Sequence, residues 1–112
     1  MTQQPGSTSL VGSPFPRITI VIPAISGDEY LEATLRSVIF QDYPNLELIV
    51  IEDGTSSERR RILKKYEAHF SWQICPPATE LCAALNMAFA KSSGEILGWL
   101  EPGDSFTRMV CT

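Results

Sequence analysis

Apolar residues along the chain concentrate in four short segments, at residues 18–23, 46–51, 72–75 and 96–100. Short apolar runs rich in β-branched residues are typical of parallel strands buried on both faces. The segments between them carry apolar side chains three and four positions apart, which predicts amphipathic helices at residues 29–41, 58–69 and 80–92. The order β-α-β-α-β-α-β predicts an α/β domain, in which right-handed crossovers join the strands into a mostly parallel sheet between layers of helices.

Polar and helix-breaking residues mark the predicted ends of the helices. Residues 26–28 offer capping side chains to the first helix, and Pro44 follows its end. We expect Ser57 to cap the second helix and Thr79 to cap the third. Gly94 is expected to stop the third helix at its carboxyl end.

The first sixteen residues differ in composition from the rest of the chain. They are rich in Gln, Ser, Thr, Gly and Pro and contain neither lysine nor arginine. This composition predicts a flexible tail at residues 1–16, followed by one α/β domain at residues 17–112. It lacks the basic and apolar parts of a signal peptide. No run of roughly twenty apolar residues, the length of a transmembrane helix, occurs anywhere in the sequence.

The formal net charge is -4, which argues against a nucleic-acid partner because binding to the phosphate backbone needs a basic face. Five cations do cluster between residues 59 and 65, and we interpret them as the solvated face of the second helix.

Three cysteines at wide spacing do not form a disulfide or zinc pattern. Reduced thiols are typical of a cytoplasmic protein.

Acidic residues follow two of the predicted strands, at the edge of a parallel sheet where ligands bind. Glu52 and Asp53 come directly after the second strand, and Glu101 and Asp104 follow the fourth. Each pair has a simpler interpretation: an acidic turn that tightens at Gly54, and a solvated Pro-Gly turn. For Glu52 and Asp53 the composition alone favours the acidic turn, whereas for Glu101 and Asp104 both interpretations stay open.

Several segments together resemble the opening of family-two glycosyltransferases. The similar segments occur in the family's order and spacing, at residues 18–23, 30–38, 41–50, 52–56 and 84–100. The resemblance covers about residues 17–104. It implies a Rossmann-like, three-layer fold, a truncated version of the glycosyltransferase A-type fold. It also implies an enzyme that moves a sugar from a nucleotide-diphosphate sugar to an acceptor, usually with inversion and aided by Mg²⁺ or Mn²⁺.

Site residues follow from the resemblance position by position. Glu52 and Asp53 would meet the base and ribose, while Glu101 and Asp104 would hold the metal and diphosphate. Because Gly103 stands where the family commonly has a second aspartate, any metal would bind weakly. Asn86 on the third helix is either a donor contact or a structural hydrogen-bonding residue. The segment expected beside the nucleoside consists of Pro23, Ala24 and Ile25.

The resemblance also implies that the acceptor site and the catalytic base would lie beyond Thr112, so no catalytic residue is assigned. The chain would then supply the donor-binding half. An open α/β piece is expected to expose apolar surface near its last strand. We expect this surface either to cause self-association or to be covered by a missing carboxyl-terminal half. The main alternative is a catalytically inactive interaction module. A phospho-receiver domain, suggested by the Glu52-Asp53 pair, is a weaker alternative because the segment at residues 84–100 does not fit it.

Overall fold

The computed structural model describes residues 15–103 and 109–111 of the protein. These residues form three α-helices, α1 Asp28–Ile39, α2 Ser57–Lys65 and α3 Leu81–Phe89, with a short 3₁₀ turn at Glu67–His69. The strands are β1 Ile18–Ala24, β2 Leu46–Glu52, β3 Ser71–Ile74, β4 Ile96–Trp99 and β5 Met109–Cys111.

The strands form one sheet in the order β3-β2-β1-β4-β5. β1 lies at its centre and pairs in parallel with both β2 and β4, while β3 pairs in parallel with β2. These four parallel strands confirm the predicted alternation. β5, which the sequence pattern did not indicate, runs antiparallel to β4 with Cys111 opposite Ile96.

Alternate residues of the central strands supply two separate cores, one on each face of the sheet. Ile20 and Ile22 of β1 pack with residues of α1 and α2, whereas Val21 packs with residues of α3. This arrangement explains why β1 and β2 are apolar at nearly every position. The predicted three-layer architecture is therefore confirmed, with α1 and α2 on one face and α3 on the other.

The predicted helix caps are wrong in detail. α1 begins after Gly27, which has a left-handed backbone and no side-chain cap, and α3 begins without a side-chain cap at Glu80. Thr79 instead donates its hydroxyl to the Pro76 carbonyl. α2 is capped one residue earlier than expected, by Ser56, whose hydroxyl accepts from the Arg59 amide. α3 ends at Phe89, well before Gly94.

The edge of β4 is covered by β5. Among the described residues, large apolar side chains are exposed at several places, including Tyr30 on α1, Ile74 on the opposite edge strand and Met87 on α3. Tyr30 lies beside Gly103, which follows β4, and both the apolar patch near the last predicted strand and self-association remain predictions.

The predicted tail lies mostly outside the described residues. Its last two residues contact the segment after α1: the Tyr43 hydroxyl donates to the Pro16 carbonyl, and the Asn45 side chain donates to the Phe15 carbonyl. Across the described residues, none of the helices combines the length and the apolar character that crossing a bilayer demands.

Candidate functional site

The carboxyl ends of β1, β2 and β4 lie side by side at one edge of the sheet. Ala24 is opposite Glu52 in the β1–β2 pair, and Val21 is opposite Trp99 in the β1–β4 pair. The Leu100 amide continues the latter pairing by donating to the Val21 carbonyl. The loops that follow these strands therefore share one edge, as expected for a ligand site in an open α/β sheet.

Glu52 is a buried structural carboxylate at this edge, with 0% of its surface exposed. Its Oε1 accepts from the Gly54 amide at 2.8 Å, and its Oε2 accepts from the Trp72 indole N–H at 3.0 Å. Arg60 Nε lies 3.4 Å from the same Oε2. Both oxygens are thus engaged within the protein, where they tie the loop after β2 to strand β3.

Asp53 has a different environment, because one of its two oxygens takes every described contact. Oδ1 accepts from the Thr55 amide, the Thr55 hydroxyl and Arg59 Nη1, at 3.1, 2.7 and 2.7 Å. Oδ2 receives no hydrogen bond from the described residues, and the side chain is 12% exposed. Partial burial raises the pKa of this carboxyl, but the Thr55 hydrogen bonds and the charge of Arg59 outweigh it and lower the pKa overall.

Arg59 corrects the interpretation of the basic segment as a solvated face. Its side chain is only 6% exposed and forms ion pairs with Asp53 at 2.7 Å and with Asp28 at 2.8 Å. The Ser56 hydroxyl, which caps α2, also donates to Asp28. A guanidinium can be buried at this position because two carboxylates accept its hydrogen bonds. The other arginines of α2 remain exposed.

The segment expected beside the nucleoside is mostly inaccessible. Pro23 and Ala24 are buried at the end of β1. Ile25 is half-buried and packs against the core on the α3 side. Of the three residues, Ile25 therefore offers the larger side-chain surface to a ligand at this edge.

The turn after β4 packs against the start of α1. The Gly103 amide donates to the Thr34 hydroxyl at 3.0 Å. A methyl group placed on Gly27 would meet the Pro102 Cβ at 3.1 Å, so the two segments are in close contact. Glu101 is exposed in this turn, and Asp104 lies outside the described residues. Thr34 thus fixes the backbone of the turn to the site.

Asn86 is not brought to this edge by any contact. Its side chain is exposed on α3 and makes no hydrogen bond with the described residues. Met87 of α3 and Lys91, which follows the helix, help to line an open groove of about 490 Å³ beside edge strand β3. None of the predicted site residues lines that groove.

A metal site does not fit the described residues by themselves. Within residues 15–103, no three His, Cys, Asp or Glu side chains cluster closely enough to hold an ion. Hard divalent cations take six or more oxygen ligands, of which the protein usually supplies several. Glu101 belongs to no such cluster, and Asp104 lies outside the described residues.

Sequence reasoning missed Asp28, Thr34 and Arg59. A signal for Arg59 was nevertheless present, because it lies three and four positions before the buried Ile62 and Leu63. That spacing places Arg59 on the buried stripe of α2 rather than on its solvated face. Asp28 and Thr34 gave no comparable signal, since their partners are 31 and 69 residues away.

Comparison with solved structures shows the same fold in several glycosyltransferases. A mannosyltransferase from Pyrobaculum calidifontis, in complex with GDP-Man and Mn²⁺, matches with a TM-score of 0.64 and 22% identity, over 82% of this chain and 29% of that one. Staphylococcus aureus TarS in complex with UDP-GlcNAc matches with a TM-score of 0.64 and 20% identity, over 80% of this chain and 27% of that one. The architecture is therefore that of the glycosyltransferase A-type fold.

Sequence comparison gives the family. An uncharacterized glycosyltransferase of Rickettsia prowazekii is 30% identical over 94 residues, which make up 81% of this chain and 28% of the relative. The chain thus spans less than a third of the length of that relative. The family model described as glycosyl transferase family 2 matches residues 19–109, most of the sequence. The resemblance seen in the sequence is confirmed, and the chain belongs to the family 2 glycosyltransferases.

Proposed function

We propose that this chain binds the nucleotide part of a nucleotide-diphosphate sugar at the carboxyl edge of its sheet. The observation that carries the proposal is the partly exposed Asp53 carboxylate, whose Oδ1 is held by three donors while Oδ2 receives none from the described residues. A carboxylate oxygen held in this way can accept from a ribose hydroxyl or from a base N–H.

The residues around Asp53 support a nucleoside rather than a free phosphate as its ligand. An ionised carboxylate repels phosphate, and Asp53 is ionised at neutral pH, as an ordinary aspartate is, because its pKa is not raised but lowered. Ile25 supplies apolar surface at the same edge. The buried Glu52 carboxylate accepts a hydrogen bond from the Gly54 amide, so the backbone at Asp53 is fixed before a ligand binds.

Transfer of the sugar is proposed for the whole protein, by analogy with the relatives. GDP-Man and UDP-GlcNAc accompany two of the solved neighbours, so either nucleobase is a reasonable candidate. Mn²⁺ accompanies one of them. For this chain, a weakly bound Mg²⁺ or Mn²⁺ at Glu101 and Asp104 remains a prediction from the sequence, as do the contact of Asn86 and a cytoplasmic location.

Calorimetric titration with UDP and with GDP, with and without Mn²⁺, tests donor binding. We expect saturable binding of at least one nucleotide at millimolar concentration or below. Asp53→Asn should weaken that binding about tenfold, because an amide presents one acceptor where the carboxylate presents two. Glu29→Gln, a change at an exposed residue of α1, serves as the control. Absence of binding for both nucleotides under both conditions would contradict the proposal.

One observation favours the catalytically inactive alternative. Gly103, which replaces the family's second aspartate, has a φ of 105°, a conformation that L side chains rarely adopt. An aspartate on this backbone would be strained. Gly103→Asp tests this observation: unchanged Mn²⁺ affinity with lower stability would support a turn adapted to glycine, whereas increased Mn²⁺ affinity would show that the turn accepts a second metal ligand.

A further inference from the structure

Arg59 is a buried cation that connects the loop after β2 to the start of α1 at the proposed site. It lies on α2, but its partners are Asp53 in the loop after β2 and Asp28 at the start of α1. The three charged groups sum to -1, so Arg59 offsets one of two carboxylates that would otherwise repel each other across this edge. The core contacts of α2 come from Ile62 and Leu63.

The contacts of Arg59 determine which oxygen of Asp53 remains available. Arg59 Nη1 and both Thr55 donors converge on Oδ1. The second contact, from Nε to Asp28 Oδ1, fixes the guanidinium plane, because the two nitrogens belong to one rigid fork. A lysine at this position could not hold both carboxylates in the same geometry, since its ammonium is a single point charge.

We propose that Arg59 is the positioning residue of the nucleoside site: it holds Asp53 through Oδ1 and thereby keeps Oδ2 available to the ligand. This inference rests on the proposed function and names a residue on which that function depends. Arg59 does not itself touch the ligand. Its loss should therefore weaken binding of a nucleoside and of the corresponding nucleoside diphosphate by the same factor. If Arg59 instead contacted the phosphates directly, its loss would weaken binding of the diphosphate only.

The test compares three variants, Arg59→Gln, Arg59→Lys and the matched control Arg61→Gln. Arg61 lies on the same helix but is exposed and pairs with Glu58 within one turn. Uridine, guanosine, UDP and GDP would be titrated by NMR, without metal, after thermal melts have confirmed that each variant is folded. If Arg59→Gln does not fold, Arg59→Lys keeps the charge without the fork and carries the comparison.

We expect Arg59→Gln to lower the affinities for nucleoside and for diphosphate by the same factor, about tenfold, because Asp53 would then hold Oδ2 toward the ligand only part of the time. The affinities of Arg59→Lys should lie between those of the wild type and those of Arg59→Gln. Arg61→Gln should bind all four compounds as tightly as the wild type does. Equal affinities for the Arg59 and Arg61 variants, or a loss confined to the diphosphates, would overturn the positioning role.

A second readout separates this inference from the proposed function. In Arg59→Gln without ligand, the pKa of Asp53, followed through its carboxyl carbon, should rise because a hydrogen bond and a positive charge are lost. An unchanged pKa would overturn the positioning role whatever the ligand. If the wild type and Arg61→Gln both fail to bind any of the four compounds, the proposed function fails, and the role of Arg59 in ligand binding fails with it.

Discussion

The loop after β2 and the turn after β4 lie at the same edge of the sheet but are held in different ways. Glu52 and Asp53 are both fixed by several side-chain and backbone donors, and Arg59 is buried between acids from two elements. Among the described residues, the turn after β4 is held by one hydrogen bond, from Gly103 to Thr34, and by close packing of Pro102 on Gly27. Its acid, Glu101, is exposed.

This difference indicates which part of the proposed site is formed before a ligand binds. A fixed carboxylate loses little conformational freedom on binding, whereas an exposed one must be ordered at a cost in affinity. The nucleoside side is therefore preorganised by the described residues. The proposed diphosphate side depends on Glu101 and Asp104, which are predicted from the sequence and which no described contact fixes.

The largest effect should separate the two regions by stability. Glu52→Ala leaves the Gly54 amide and the Trp72 indole without their acceptor and is expected to lower the free energy of unfolding by about 3 kcal/mol. Glu101→Ala, in the exposed turn, should change it by less than about 0.5 kcal/mol. Urea denaturation measures both. Similar losses of unfolding free energy for the two variants would show that the loop after β2 is no more firmly held than the turn after β4.

A smaller loss of stability should come from substituting one glycine in each region: Gly54 in the loop after β2, and Gly27, which packs against the turn after β4. Gly27 and Gly54 both have left-handed backbones, with φ of 72° and 75°. Alanine at either position should cost about 1 kcal/mol for this backbone. Gly27→Ala should cost about 1 kcal/mol more because its methyl group would press on Pro102, whereas the space at Gly54 is open. Equal losses of unfolding free energy for the two variants would show that the turn after β4 moves away from the added methyl group without cost.

The hydrogen bond that holds the β4 turn should have a moderate effect. Thr34→Val keeps the shape of the buried side chain but removes the acceptor of the Gly103 amide, so stability should fall by about 1 kcal/mol. Thr34→Ser retains the hydroxyl and controls for the hydrogen bond itself. Hydrogen exchange of the Gly103 amide should become faster in the valine variant only. Unchanged exchange there would mean that Thr34 does not hold the turn.

The smallest effect concerns pH. Because the pKa of Asp53 is lowered in the folded protein, its ionised form stabilises the fold above the ordinary aspartate pKa of about 3.9. That contribution is lost as the pH falls below this value and through the lowered pKa. The stability difference between the wild type and Asp53→Asn should be about 1 kcal/mol or less and should shrink in this acid range. A difference independent of pH would contradict the assignment.

The sequence predicted the four parallel strands and the layers because burial on both faces leaves a local apolar pattern, as in β1 and β2. It predicted Glu52 and Asp53 at the edge because strand ends are also local features. It could not show that Glu52 is buried or that Arg59 joins Asp28 to Asp53, since these contacts arise only when separate elements pack. For the same reason the Gly103–Thr34 contact, which spans 69 residues, had no signal in the pattern.

The most direct test of the central claim is an NMR map of amide shifts during titration with UDP and with GDP. Binding at the carboxyl edge predicts the largest changes at Ile25, Gly54 and Thr55, next to the Asp53 carboxylate. The groove beside β3, lined in part by Trp72, Gln73 and Met87, should show little change. Changes centred on that groove, or none with either nucleotide at millimolar concentration, would contradict the account.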